Sequence, residues 1–284
     1  MNEEVNNEHR CKSCGHVFTG KYCNVCGEKV IEPKDRKFKS FIGNVLIATT
    51  FVDNKFIKSL WLTISRPGFL SREYVDGRRV MYMRPLQMFF ILNLVYFLFP
   101  VLQMFNSSLF TQTHVLPHRS LAFSIVHQKV ISENLTLRGF ELMYNEKTTS
   151  LAKLLIVLFV LLASLPLSLI FMKRDRYFTD HVALSVELTS FNIAVNAIFL
   201  SILFGGVSNL LRWSHIDLQE YLDDVTLTVL FVSTNLYFLF RAGRAFYSQK
   251  GKRLIVKAAF GILGLFLALE VYRLLLFFIT IWSV

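Results

Sequence analysis

Charge is scarce in this 284-residue chain, where Asp, Glu, Lys and Arg make up 18% of residues, against about 25% in an ordinary soluble domain. The shortage falls in blocks. After Arg84 no charged side chain or histidine occurs until His114, and residues 154–172, 188–211 and 225–240 carry none. Such runs exclude an ordinary water-soluble domain, whose helices keep a charged face. Cysteine is also rare: all four lie between Cys11 and Cys26, so no disulfide framework holds the body together. A Gly-rich phosphate loop, His-Glu-x-x-His and Gly-x-Ser-x-Gly are all missing, which removes the usual enzyme signatures. No internal repeat is evident, so the inverted symmetry of many transporters has no support. Met1–Arg10 lacks an apolar core and a small-residue cleavage site; it is read as a short disordered tail, not a secretory signal.

What is present is apolar: 53% hydrophobic residues and 14% aromatic ones, with a mean hydropathy of +0.44. Concentrated in charge-free runs, this composition defines a polytopic membrane protein, since about 20 apolar residues cross roughly 30 Å of hydrocarbon. The net charge of +11 follows from basic loops that orient spans and touch anionic lipid headgroups. Those residues flank spans instead of covering one folded face, so no nucleic-acid partner is expected. The lipid bilayer is the expected partner.

Cys11, Cys14, Cys23 and Cys26 form two Cys-x-x-Cys pairs, each followed by a glycine, Gly15 or Gly27. A two-residue gap brings both sulfurs to one side of a tight turn, and glycine accepts the positive φ that such a turn requires. Two knuckles facing one another complete a four-thiolate site for structural zinc, with no open position for catalysis. A rubredoxin-type iron centre uses the same ligands. Phe18 and Tyr22 are expected to supply the small core, and His16 is superfluous as a ligand.

A charged linker over 32–39 leads into Phe38–Ile64, whose apolar steps of three and four predict an amphipathic helix or two in the inner interface, ended by Pro67 and Gly68. Arg66, Arg72, Arg78, Arg79 and Arg84 then accumulate before Pro85, as lipid-headgroup contacts and as determinants of topology that hold the N-terminus in the cytoplasm. The knuckles, Thr63, Arg66-Pro67-Gly68, Tyr74, Gly77-Arg78-Arg79, Tyr82 and Pro85 before an aromatic span resemble the bacterial membrane proteins grouped as domain of unknown function 3667. The likeness covers about the first hundred residues. It implies a zinc-ribbon head on a multi-span body and no established activity.

The runs predict spans over Pro85–Met104, Leu154–Met172, about Val182–Leu211, Val225–Phe240 and about Ala258–Trp282, with 105–150 as a long external loop. Pro166 is expected to kink the second span. Ser185, Thr189, Asn192 and Asn196 stack on one helical face, as interhelical hydrogen-bonding groups or, together with Asn235, as part of a solute pathway. Glu187 is placed near the inner end, able to reach the interface, and Asp180 with His181 is read as an interface pair. Asp223-Asp224 marks the outside. Glu270 and Arg273 fall near the midpoint of the last span, where ionisable groups need a partner or a wet cavity. They are either a self-contained ion pair or part of a proton, ion or solute route together with Asn192, Asn196 and Asn235, unless that span lies closer to Leu254, which brings Arg273 near the outer surface.

The sequence therefore describes an all-α polytopic membrane protein of about five transmembrane helices with a small N-terminal zinc ribbon and a juxtamembrane amphipathic helix. Its divisions are 1–31, the ribbon; 32–84, linker and amphipathic helices; and 85–284, the transmembrane bundle. Three functions fit: a scaffold or regulator whose cytoplasmic zinc head docks a protein partner, a small-solute or ion transporter, and a lipid-modifying enzyme with its polar cavity near Arg72, Arg78 and Arg79. The expected location is the bacterial inner membrane, with the C-terminus outside.

Overall fold

The computed structural model describes residues 8–11, 14–25, 55–78, 81–99, 105–172, 176–211 and 224–284. They form two compact units, Met1–Asn54 and Lys55–Val284. In the first, β1 (Glu8–Arg10) pairs antiparallel with β2 (Val17–Thr19), so that Glu8 opposes Thr19 and Arg10 opposes Val17. The end of the presumed tail is thus a strand. Its hairpin closes because Cys11 N–H donates to the His16 carbonyl and Gly15, at φ +75°, returns its N–H to the Cys11 carbonyl. Phe18 is buried, whereas Tyr22 is 61% exposed and adds nothing to the core.

The second unit is helical. Its first helix, α1, is described over 55–65; the expected amphipathic stretch upstream of it lies outside the described residues. Ser59 and Thr63 occupy the buried face of α1, between the partly buried Phe56 and Leu60, while Ile57 and Trp61 point out. The two hydroxyls are used there: Ser59 accepts from Met83 N–H, and Thr63 donates to the Met88 sulfur. A sharp turn over 66–68 leads to α2 (Phe69–Val75). Gly68 is obligatory, since its φ is +81° and an added Cβ would lie 2.7 Å from Ala242 Cα. At the far end Gly77, at φ +88°, sends its N–H to Tyr74, and Arg78 sends its own to Glu73, the two bonds of a Schellman stop.

Helix α3 (Pro85–Leu98) has 14 residues and starts with proline at its first position, where a missing N–H costs nothing. At about 1.5 Å per residue it is some 21 Å long, shorter than the span predicted to Met104. The region expected as an external loop contains α4 (Leu109–His114), α5 (Arg119–Ser132) and the start of α6 (Leu137–Ile170). Helix α7 (Phe178–Phe191) passes without interruption through a π-helical segment (Asn192–Phe199) into α8 (Leu200–Leu211). Then come α9 (Asp224–Ala245) and α10 (Lys252–Ser283).

Among the described residues three helices are long and apolar enough to cross a membrane: Leu137–Ile170, Phe178–Val207 and Lys252–Ser283. This is the architecture of a membrane protein, and α7 lies at its centre. Every residue from Leu184 to Ala194 is buried, so this stretch has no solvent or lipid face.

Helices α6 and α10 run antiparallel in contact along their length. Lys257 sits over the Phe171 ring, Gly264 makes room for Pro166, Tyr272 donates to the Ala152 carbonyl, and Phe277 packs beside Tyr144. Helix α6 continues through Pro166. At 34 and 32 residues both helices exceed the membrane requirement. Their surplus ends join α4 and α5 around a second core of Leu109, Ala122, Val126, Phe140, Phe277 and Ile281.

Candidate functional site

The first unit brings three of its cysteines together. Cys11, Cys14 and Cys23 place their sulfurs within 4.8 Å of one another, with Cys14 and Cys23 3.6 Å apart. That spacing is too long for a disulfide of about 2.05 Å. It matches the roughly 3.8 Å between thiolates that each lie about 2.3 Å from a tetrahedral zinc. Cys11 and Cys23 are buried and Cys14 is exposed. Cys26 lies outside the described residues, so the geometry defines a three-cysteine cluster able to hold a metal.

In the second unit, the turn between α1 and α2 is gripped from two sides. From α7, Glu187 accepts hydrogen bonds from Gly68 N–H at 3.0 Å, Ser71 N–H at 2.8 Å and the Ser71 hydroxyl at 2.5 Å. Its carboxylate thereby caps the start of α2, satisfying donors that a helix leaves orphaned. Glu187 is 0% exposed, enclosed by protein groups. From α9, the Tyr237 hydroxyl donates to the Ile64 and Ser65 carbonyls and Arg241 donates to Ser65, closing the end of α1. Sequence reading missed this clasp. The one signal for it was a lone acid in an apolar run, 116 residues from its serine partner.

Helix α2 also organises the basic residues ahead of α3. Arg78 forms a two-point ion pair with Glu73 at 2.5 and 2.7 Å and reaches Asp76 at 3.1 Å. Asp76 lies 3.7 Å from Arg176, which stacks on Phe246. The Arg78 guanidinium holds the Glu73 carboxyl below the usual carboxylate range. Arg72 lies 3.5 Å from Glu73 and donates to the Ala245 carbonyl. Arg66 and Arg84 are exposed, and Arg79 lies outside the described residues.

Asn192, Asn196 and Asn235 meet in the protein interior, none more than 1% exposed. Asn192 and Asn235 exchange amide hydrogen bonds of 3.0 and 2.8 Å, Asn196 donates to Asn192 at 2.7 Å, and Thr234 donates to Asn196 at 3.0 Å. The remaining amide hydrogens of Asn192 and Asn235 go to the Leu188 and Phe231 carbonyls. Ser185 instead turns to the Val160 carbonyl on α6, and Thr189 bonds back to Ser185. His181 and Asp180 do not pair as an interface couple. The imidazole shares a 2.6 Å hydrogen bond with the Tyr247 hydroxyl, and Asp180 accepts from Tyr177 N–H at the start of α7.

Glu270 and Arg273 do pair, loosely, at 3.4 Å, with side chains 27% and 23% exposed. Their level is set by Tyr272, which bonds Ala152 beside Lys153, just before the charge-free run 154–172 of α6 begins. The pair is therefore level with Lys153, at the edge of the charge-free run of α6 and not beside its middle. Gln112 donates to the Arg273 carbonyl at 3.4 Å and shares a 2.6 Å hydrogen bond with His118. Burial pushes the His118 pKa down, Glu270 pulls it back up, and Arg273 opposes it. Neither Gln112 nor His118 had been singled out from sequence, since both lie in what reads as a loop.

A helical membrane bundle with a cysteine cluster is the class these features define. The family model described as "Protein of unknown function (DUF3667)" matches residues 53–97, so this stretch of the chain is similar to that family. The matched stretch contains α1, α2 and most of α3, and so holds the residues that Glu187, Tyr237 and Arg241 grip. No curated protein and no solved structure matches the chain.

Proposed function

We propose that this chain is a multi-pass bacterial inner-membrane scaffold or regulator. Its head is a cytoplasmic zinc ribbon that docks a protein partner. Its body has five spans, formed by α3, α6, α7 with α8, α9 and α10, which leaves the N-terminus inside and the C-terminus outside. Basic residues support this sidedness: Arg72, Arg176 and Arg241 gather at the end of the bundle where α6 and α9 finish and α10 starts.

Zinc is the metal that the three-cysteine cluster with Cys26 suits best, and four thiolates leave it a structural role. Bound there, it holds the two knuckles together; Cys11, Cys14, Cys23 and Cys26 supply the ligands. The bilayer is the second partner, and no nucleic acid is expected.

The observation that carries the scaffold reading over transport is the closed asparagine cluster. Polar groups at the centre of the bundle spend most of their hydrogen bonds on one another and on backbone carbonyls of their own helices, and are at most 1% exposed. The test uses the full chain in vesicles. Wild type is expected to hold one zinc per chain and to copurify a protein that is lost with Cys23→Ser or chelation. Solute or ion flux abolished by Asn192→Leu would instead establish a transporter.

A further inference from the structure

Helices α9 and α10 leave an open groove of about 400 Å³, lined by Ser233, Leu236, Tyr237, Phe240, Ile255 and Ala258. That volume falls among ligand sites, which run from about 300 to 1,000 Å³. The lining is apolar apart from Ser233, because the Tyr237 hydroxyl is turned away to the Ile64 and Ser65 carbonyls. Along α9 the lining residues follow steps of three and four, so the same stripe continues from Tyr237 and Phe240 to Arg241 and Arg244. Arg244 lies over the Phe240 ring at 4.3 Å, and Arg241 sits beside the clasped turn, donating to Ser65 at 3.0 Å. Both arginines are exposed. Neither has a carboxylate within ion-pair distance among the described residues. On α10, one turn before Ile255, the stripe meets Lys252.

We propose that this groove holds one anionic phospholipid, its acyl chain along Ser233 to Phe240 and its phosphate at Arg241 and Arg244. The chemistry is two-part. An open apolar groove accepts a hydrocarbon tail, and guanidiniums at one end bind a phosphate by donating paired charge-assisted hydrogen bonds. Phosphatidylcholine fits the channel but cancels its own charge, so the site selects an anionic headgroup. Tyr237 and Arg241 also hold the end of α1, so the lipid borders the turn that Glu187 caps. Occupancy of the groove therefore bears on the α1–α2 clasp. The inference rests on the membrane reading of the bundle.

The full chain is reconstituted in vesicles of phosphatidylcholine with a minority of phosphatidylglycerol, released into mild detergent, and weighed by native mass spectrometry. One retained phosphatidylglycerol per chain is expected. Retention should drop about fivefold for each of Arg241→Gln and Arg244→Gln, as one basic residue near a membrane surface is worth roughly that factor. Ser233→Phe, which fills the channel from an exposed position, should abolish retention, and excess inorganic phosphate should not displace the lipid. Displacement by phosphate would make this a bare anion site and overturn the proposal. Equal retention of phosphatidylcholine would do the same. So would disulfide-linked dimers of Ser233→Cys with no lipid retained, which would assign the groove to a second copy. Failure of the wild-type chain to resist carbonate extraction sinks the membrane reading itself; an inserted chain that retains no lipid sinks only the site.

Discussion

The asparagine cluster on α7 and α9 and the Glu270–Arg273 locus on α10 are both polar patches in an apolar bundle, built to different tolerances. In the first, contacts run from 2.7 to 3.0 Å and the side chains are at most 1% exposed. In the second, the ion pair and the Gln112 contact stand at 3.4 Å, the ionic side chains are about a quarter exposed, and Glu270 Oε2 has no hydrogen-bond partner among the described residues. At the centre of α7 no water is within reach, and an unmet amide costs about 1–3 kcal/mol. At the level of Lys153 the two ionic side chains are partly exposed, yet Glu270 Oε2 itself is buried, so the looser patch carries an unmet carboxylate oxygen.

Two substitutions probe that contrast, and a third sets the scale at the Glu187 clasp. The largest effect is expected from Glu187→Ala, which strips the cap from α2 and leaves the buried Gly68 and Ser71 amides unmet. A loss of about 3 kcal/mol or more in unfolding free energy follows. Glu187→Gln, which keeps an acceptor oxygen, should recover about half of it; equal losses in the two variants would mean that the cap is not what stabilises the turn.

Asn235→Leu comes next, at about 1–2 kcal/mol, in line with interhelical hydrogen bonds in model membrane peptides. A neutral result in detergent unfolding would show that the cluster is not the tight region described above. Smallest is Glu270→Gln, expected within about 1 kcal/mol of wild type at neutral pH.

Its signature is in titration instead. Because Glu270 raises the His118 pKa against burial, its removal should lower that pKa further. The sign for stability follows from linkage. A histidine with a depressed folded pKa costs nothing above its unfolded value of about 6.5. The fold loses stability as pH falls from there to the folded value, since the unfolded chain takes up the proton first. In Glu270→Gln that loss should extend to lower pH. Imidazole NMR titration with unfolding midpoints across pH checks both points, and an unmoved His118 would detach it from the pair.

Much of the outline was legible in the residues. Charge-free runs mark a membrane bundle, because hydrocarbon excludes charge regardless of how the helices pack. The two knuckles announce a metal cluster, because ligand spacing is local. Pro67 and Gly68 could be read as the end of a helix for the same reason, and they prove to lie in the turn between α1 and α2. Three things were out of reach. The loop over 105–150 is helical because it packs on the surplus ends of α6 and α10, a partner that local periodicity does not disclose. Glu187 reads as an interfacial acid until α2 is placed against it. The π-helical segment around Asn192 has no sequence signature of its own.

Sequence alone determined that this is an apolar, basic, membrane-type chain with a cysteine cluster at its head, since composition and short spacings act within a few residues. Tertiary structure alone decided which helix is central, that Glu187 grips the turn before Phe69, and that Glu270 lies level with the edge of the charge-free run of α6. Those outcomes depend on which surfaces meet across more than a hundred residues, and only packing sets that.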